Sequence, residues 1–172
     1  MFSMKRSYLL PLTVLVAFLT IAAFSPTQAV AQEGIAVELP CVTGVTAYPI
    51  GMAMPDDLDG RVLALERLEI APGGGFTAHT HPGTLIVSVE SGTLDLTQLD
   101  HAHMEITRAG GTSETMTQGT PMTLNTGDGF VEPEGMVHTA FNYGDEPTVV
   151  LLTGVVDPNL PLVQCVEGTP AA

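Results

Sequence analysis

GGGFTAHTHPGTLIVSVESG, residues 73–92, decides how this chain is read. Two histidines, His79 and His81, stand one residue apart, with glycines before them and Pro82-Gly83 after. On a β-strand, residues i and i+2 point to the same face. The spacing therefore aims both imidazoles at one point, as two ligands of a single metal require. The run from Leu85 to Glu90 alternates, so Leu85, Val87 and Val89 are expected inside and Ile86, Ser88 and Glu90 outside. Gly92 closes that strand, and Thr93–Leu96 begins the next.

A second stretch downstream strengthens this. Residues 127–142 read GDGFVEPEGMVHTAFN, with His138 on an expected strand after a Pro133-Glu134-Gly135 turn. Together the two stretches resemble the cupin family. That family's first motif runs Gly, five residues, His-x-His, three or four residues, Glu, six residues, Gly; here Gly73, His79, His81 and Gly92 fall in register. Its second motif runs Gly, five residues, Pro-x-Gly, two residues, His, three residues, Asn. Gly127, Pro133, Gly135, His138 and Asn142 occupy every fixed position. The resemblance covers roughly residues 60 to 156.

The resemblance implies an all-β protein, a double-stranded β-helix (jelly-roll) cupin barrel, with His79, His81 and His138 as ligands of one divalent metal. It also implies a glutamate ligand where this chain has Leu85. Leucine cannot bind a metal, so three ligands carry over and the fourth does not. A site without that carboxylate would be more positive by one charge, with a stronger pull on anionic ligands. Histidine suits Fe, Mn, Zn, Cu or Ni to differing degrees, so this ligand set does not name the ion. Each imidazole is expected to donate its other nitrogen proton to a neighbouring acceptor. Asn142 is expected either to brace its turn or to hydrogen-bond near the site.

The length, 172 residues, suits one domain. Lys5 and Arg6 precede an apolar run from Tyr8 to Phe24, and Ala29-Val30-Ala31 follows. This is the pattern of a signal peptide over residues 1–31, with Gln32 the first mature residue and a secreted or periplasmic destination. The alternative is an uncleaved anchor, but the run is short for a membrane span. No cysteine follows it closely, which argues against a lipid anchor. All 19 acidic residues lie beyond it, against three arginines, Arg61, Arg67 and Arg108. So acidic a mature protein repels nucleic acid and anionic membranes. It has no lysine, which excludes Schiff-base chemistry.

Cys41 and Cys165 are the two cysteines. In an oxidising compartment they can form a disulfide tying the two ends of the mature chain; two buried free thiols are the alternative. Residues 32–59 read as a strand and loop arm, residues 60–157 as the barrel and residues 158–172 as a tail. Within the barrel, Arg61–Ile70 reads as a strand that Pro72 and Gly73–Gly75 end, although its Leu and Glu content also allows a short helix. If a strand, it puts Glu66 on one face with Leu68 and Ile70; a solvated Glu66 is the expectation and an inward-pointing carboxylate the alternative. Residues 93–126 hold a second His-x-His, His101 and His103, expected on an exposed edge strand and less readily a second metal site. Thr120–Asn125, Val137–Phe141 and the β-branched run Thr148–Val156 read as strands.

No other catalytic motif is present: no Gly-x-Ser-x-Gly, no phosphate-binding loop. Few aromatics remain to stack sugars or bases. The reading is an exported single-domain cupin that binds one divalent transition metal and a small-molecule ligand or substrate, with dioxygenase-like chemistry if it is an enzyme. A homodimer is a further family expectation. The alternative is a non-catalytic binding or structural cupin. Glu66 reaching the histidines would favour catalysis; closure of the cavity by Leu85 with Met122 or Met136 would favour the alternative.

Overall fold

Residues 62–80 have the composition of two short strands with three glycines between, yet they form one long strand that the rest of the molecule is hung on. The computed structural model describes residues 33–167. Their strands, in chain order, are β1 (Ile35–Ala36), β2 (Val42–Ala53), β3 (Val62–Thr80), β4 (Gly83–Ser91), β5 (Thr93–Gln98) and β6 (Glu105–Thr107). There follow β7 (Ser113–Thr115), β8 (Met122–Asn125), β9 (Gly129–Glu132), β10 (His138–Phe141), β11 (Thr148–Val156) and β12 (Gln164–Cys165). Every pairing is antiparallel, and no helix occurs among the described residues. The expected signal peptide and the end of the expected tail lie outside the described residues.

The sheet runs β7-β6-β9-β4-β11-β3-β10-β5-β8 and curls on itself at β3, the double-stranded β-helix of a jelly-roll barrel. Residues 62–70 of β3 pair with β11, whereas its far part, from Gly75 to His79, pairs with β10. One strand thus serves both layers. Pro72 and the glycines do not end it; they let it bend. Gly73 takes φ +73°, a left-handed value that glycine tolerates. A side chain on Gly75 would stand 2.3 Å from the Ala140 carbonyl oxygen, so glycine there lets β10 close on β3.

Alternation on the pleat builds the core. On β4, Leu85, Val87 and Val89 are buried while Thr84, Ile86 and Ser88 are exposed. On β11, Val150 and Leu152 point the same way. The stretch read as an arm contributes as well: β2 pairs along β3 from Val42↔Phe76 to Ala53↔Leu63, and Val42, Val45 and Ala47 join the core. Cys41 and Cys165 are joined in a disulfide with Cα atoms 5.5 Å apart. Beyond it, Gln164 and Cys165 pair with Thr80 and His79 at the far end of β3.

Asn142 braces the bend. It is fully buried. Its side-chain NH2 donates to the Ile70 carbonyl at 3.0 Å and the Glu146 carbonyl at 2.8 Å, while its Oδ1 accepts from Gly144 N at 2.9 Å. Its backbone exchanges bonds with Gly73 and Gly74. This settles its role as structural. Asn142→Ala would remove three side-chain hydrogen bonds, and an unfolding midpoint shift corresponding to about 2–4 kcal/mol is expected in urea titration.

Candidate metal centre

His79 lies near the end of β3, His81 directly after it, and His138 opens β10. The antiparallel register sets His138 opposite His79, and His81 follows two residues along the same face. The Pro133-Gly135 turn is locked to this end of the barrel, Gly135 N donating to the His81 carbonyl at 3.1 Å. The three rings meet in the interior, with centroids 4.1 Å apart for His79–His138, 4.9 Å for His79–His81 and 5.3 Å for His81–His138. One ring nitrogen from each lies within 4.8 Å of the others, and all three residues are buried.

The remaining ring nitrogens have backbone partners. Nδ1 of His79 faces the Thr77 carbonyl at 2.8 Å, that of His81 the Leu162 carbonyl at 2.7 Å, and that of His138 the Met136 carbonyl at 3.2 Å. Carbonyls only accept, so each Nδ1 carries a proton, and the Nε2 atoms are the ones turned to the site. Burial, then repulsion from the other two rings, holds His79 down at about 3. Burial likewise lowers His81. Two uncharged imidazoles are thus kept in the state in which they donate to a metal.

A carboxylate that sequence reading passed over lies beside two of the three rings. Glu132, the last residue of β9, is buried with Oε1 3.0 Å from His138 Nε2 and Oε2 3.4 Å from His81 Nε2. Burial works to raise its carboxyl, but the charge and hydrogen bond of His138, with His81 and His79, outweigh this and leave it at about 2. His138 moves the other way: burial would lower it, and Glu132 raises it above the usual range. The two share a proton that a divalent cation can displace. Glu132 Oε2 makes no hydrogen bond although wholly buried. A buried, ionised oxygen without a hydrogen-bond donor is costly. A buried anionic oxygen beside the Nε2 atoms of His81 and His138, next to a three-histidine cluster, suits a divalent cation.

One expectation is therefore corrected, and one condition set for catalysis is not met. A carboxylate does stand beside the histidines: Glu132, which is paired directly with Leu85 across β4 and β9. Glu66 is not the acid that reaches the histidines. It does point inward with Leu68 and Ile70 and lines the same cavity, but no ion pair joins it to a histidine among the described residues. A signal for Glu132 existed, since Phe130-Val131-Glu132 alternates and puts Glu132 on the buried face. His101 and His103 are exposed in the loop between β5 and β6 rather than on an edge strand, and belong to no cluster able to hold a metal among the described residues.

The cluster stands on the wall of a cavity of about 260 Å³. Leu85 lines it but does not close it, and Met122 and Met136 are not among its walls. Val37 and Leu39 from the first arm and Pro161 to Val163 from the last complete the lining.

The metal-free site carries a testable charge balance. His79 binds a proton at about 3 when folded and at 6.5 when free, so the unfolded chain takes up more protons between those values. Stability is then lost as pH falls from 6.5 towards 3, and Glu132, depressed from 4.5, adds loss in the same direction below 4.5. Thermal unfolding of chelator-treated protein at stepped pH is expected to show this decline, and His79→Gln to flatten its upper part.

Comparison with known proteins adds the following. The family model described as Cupin matches residues 53–163. The germin-like protein subfamily 2 member 1 of Arabidopsis thaliana is 37% identical over 90 residues, 52% of this chain and 35% of that one. The rhicadhesin receptor of Pisum sativum is 35% identical over 107 residues, 58% of this chain and 42% of that one. The chain thus spans well under half the length of these curated relatives. Among solved structures, a double-stranded β-helix protein from Klebsiella pneumoniae superposes with TM-score 0.43 at 21% identity, over 64% of this chain and 78% of that one. An oxalate oxidase in complex with glycolate gives TM-score 0.45 at 21% identity, over 71% and 55%.

Proposed function

The chain belongs to the cupin family, and from that footing we propose that it is an exported metalloprotein holding one divalent transition metal through His79, His81 and His138, with Glu132 as the fourth ligand, for chemistry on a small molecule. Residues 1–31 are the leader removed on export in this reading, and residues 32–172 the mature protein. What supports the reading most is the convergence of three buried imidazoles, each held by a backbone carbonyl, with a buried anionic oxygen lacking a hydrogen bond beside one of them, His81. A divalent ion bound there supplies Lewis acidity towards an oxygen donor of the substrate, and a redox-active one also supplies electron transfer to dioxygen.

The protein's own part is positioning. The Thr77, Leu162 and Met136 carbonyls fix the ring tautomers, so no rotation is needed before a ligand binds. Glu132 carries one negative charge against the ion's two, so the charge of the pair is reduced at the buried end of the cavity. The apolar wall opposite excludes water, which strengthens each electrostatic contact inside.

Metal analysis of residues 32–172, produced with export, tests this. About one equivalent of a transition metal per chain is expected. A His79→Ala, His138→Ala double variant is expected to retain none. An empty protein whose melting temperature ignores added Fe, Mn, Cu and Zn would overturn the proposal.

A further inference from the structure

The walls of the cavity narrow what it can take. Leu68, Ile70, Phe76, Phe130, Val150 and Leu152 form its body, and its other lining side chains are apolar too except at the histidine and Glu132 end and at Glu66. Among the described residues, no arginine, lysine, serine, threonine, asparagine or glutamine lines it. The mature chain's three arginines are engaged elsewhere: Arg61 with Glu134, Arg67 with Glu90, and Arg108 with Glu114 and Asp128. A second negative group on a ligand would thus find no counter-charge away from the ion.

Glu66 adds an independent observation. Its carboxylate is half-buried with no hydrogen bond or ion pair among the described residues, and burial raises its pKa above the usual range. It lies on the same inward face as Glu132 with two strands between them: Glu66 is opposite Leu152, Leu152 opposite Val87 and Val87 opposite Phe130, two residues from Glu132. At about 4.8 Å per strand and about 3.3 Å per residue the two acids stand roughly 16 Å apart across a flat sheet, and nearer where the sheet curls. A second carboxylate across the cavity repels anions and accepts a hydrogen bond from a ligand that reaches it.

We infer that the site takes an uncharged, largely apolar small molecule with one oxygen donor at the histidine–Glu132 end and its body along the Leu68, Phe76, Phe130 and Leu152 walls, and that it rejects small dianions. The inference rests on the proposed metal site for the oxygen end, and on the cavity walls alone for the apolar body.

The probe is 2-naphthol, uncharged at neutral pH and fluorescent, set against oxalate as the dianion. The absence of tryptophan keeps the protein's own emission low. Titrations use residues 32–172 with and without one equivalent of zinc, the metal content being measured on the same samples. Naphthol is expected to bind the zinc form at least about tenfold more tightly than oxalate, a gap of roughly 1.4 kcal/mol. Glu66→Arg, at a half-exposed position, is expected to bring oxalate up about tenfold while naphthol changes little, since the added cation supplies the missing counter-charge. Oxalate binding more tightly than naphthol to the unaltered zinc form overturns the inference and leaves the metal site standing. Naphthol bound without any zinc uptake keeps the apolar class and refutes the metal site. Naphthol bound by neither form overturns the inference.

Discussion

Glu132→Gln is expected to weaken metal binding by about 10–100-fold, as loss of a group that orients or charges a metal site does. The substitution keeps the side chain's size and its hydrogen bond to His138 and removes only the charge. The sharper arm is an exchange. Leu85 stands opposite Glu132 in the β4–β9 ladder, and both line the cavity. A Leu85→Glu, Glu132→Leu double variant therefore returns the acid to the position that the family motif gives it, with the number of buried charges and nearly the volume conserved. It is expected to recover most of the lost affinity, read as the dissociation constant of Mn(II) or Zn(II) by competition with a chelating dye. An unchanged constant in Glu132→Gln would remove Glu132 from the ligand set. A double variant no better than Glu132→Leu alone would mean the two positions are not equivalent views of one site.

Removing the disulfide is expected to act on stability and on the site together. Cys41 and Cys165 close a loop with a sequence separation of 124. Constraining so long a loop in the unfolded chain is worth about 2–5 kcal/mol. The local consequence follows from where the bridge sits. Cys165 pairs with His79, Thr77 N donates to the Cys41 carbonyl at 2.8 Å, and the Leu162 carbonyl three residues before Cys165 holds the His81 ring. With only Gln164 and Cys165 in the last strand, the closing arm has little ladder of its own. Cys41→Ala, Cys165→Ala is expected to lower unfolding stability by that amount and to weaken metal binding by about tenfold through a less fixed His81. A midpoint in urea within about 0.5 kcal/mol of the parent would show that the arm is held by packing rather than by the bridge.

Much of the fold was legible because its signals are local. The period-two alternation of Leu85, Val87 and Val89 reports a face without reference to any other strand, and burial follows it residue by residue. His79 and His81 share a face for the same reason. Glycine and proline in the two motifs mark turns through backbone sterics alone, as at Gly135 with φ +75°. The three-glycine run misled in one respect. It reads as a strand end, but the same freedom that breaks a strand also lets one bend, and only the closing of β10 on Gly75 decides between them.

The sequence by itself determined an all-β chain and the shared face of His79 and His81; its resemblance to the cupin family implied the barrel, the convergence of His138 on that pair and the absence of a ligand at Leu85. Tertiary structure alone decided that Glu132 lies beside His81 and His138, that Glu66 lines the same cavity with no ion pair to a histidine among the described residues, and that the Leu162 carbonyl faces the His81 ring. The reason is physical. Alternation along one strand is set by the pleat, which residue order encodes directly. Which residue faces which across strands is set by register and by the curl of the sheet, and these depend on the packing of the whole barrel.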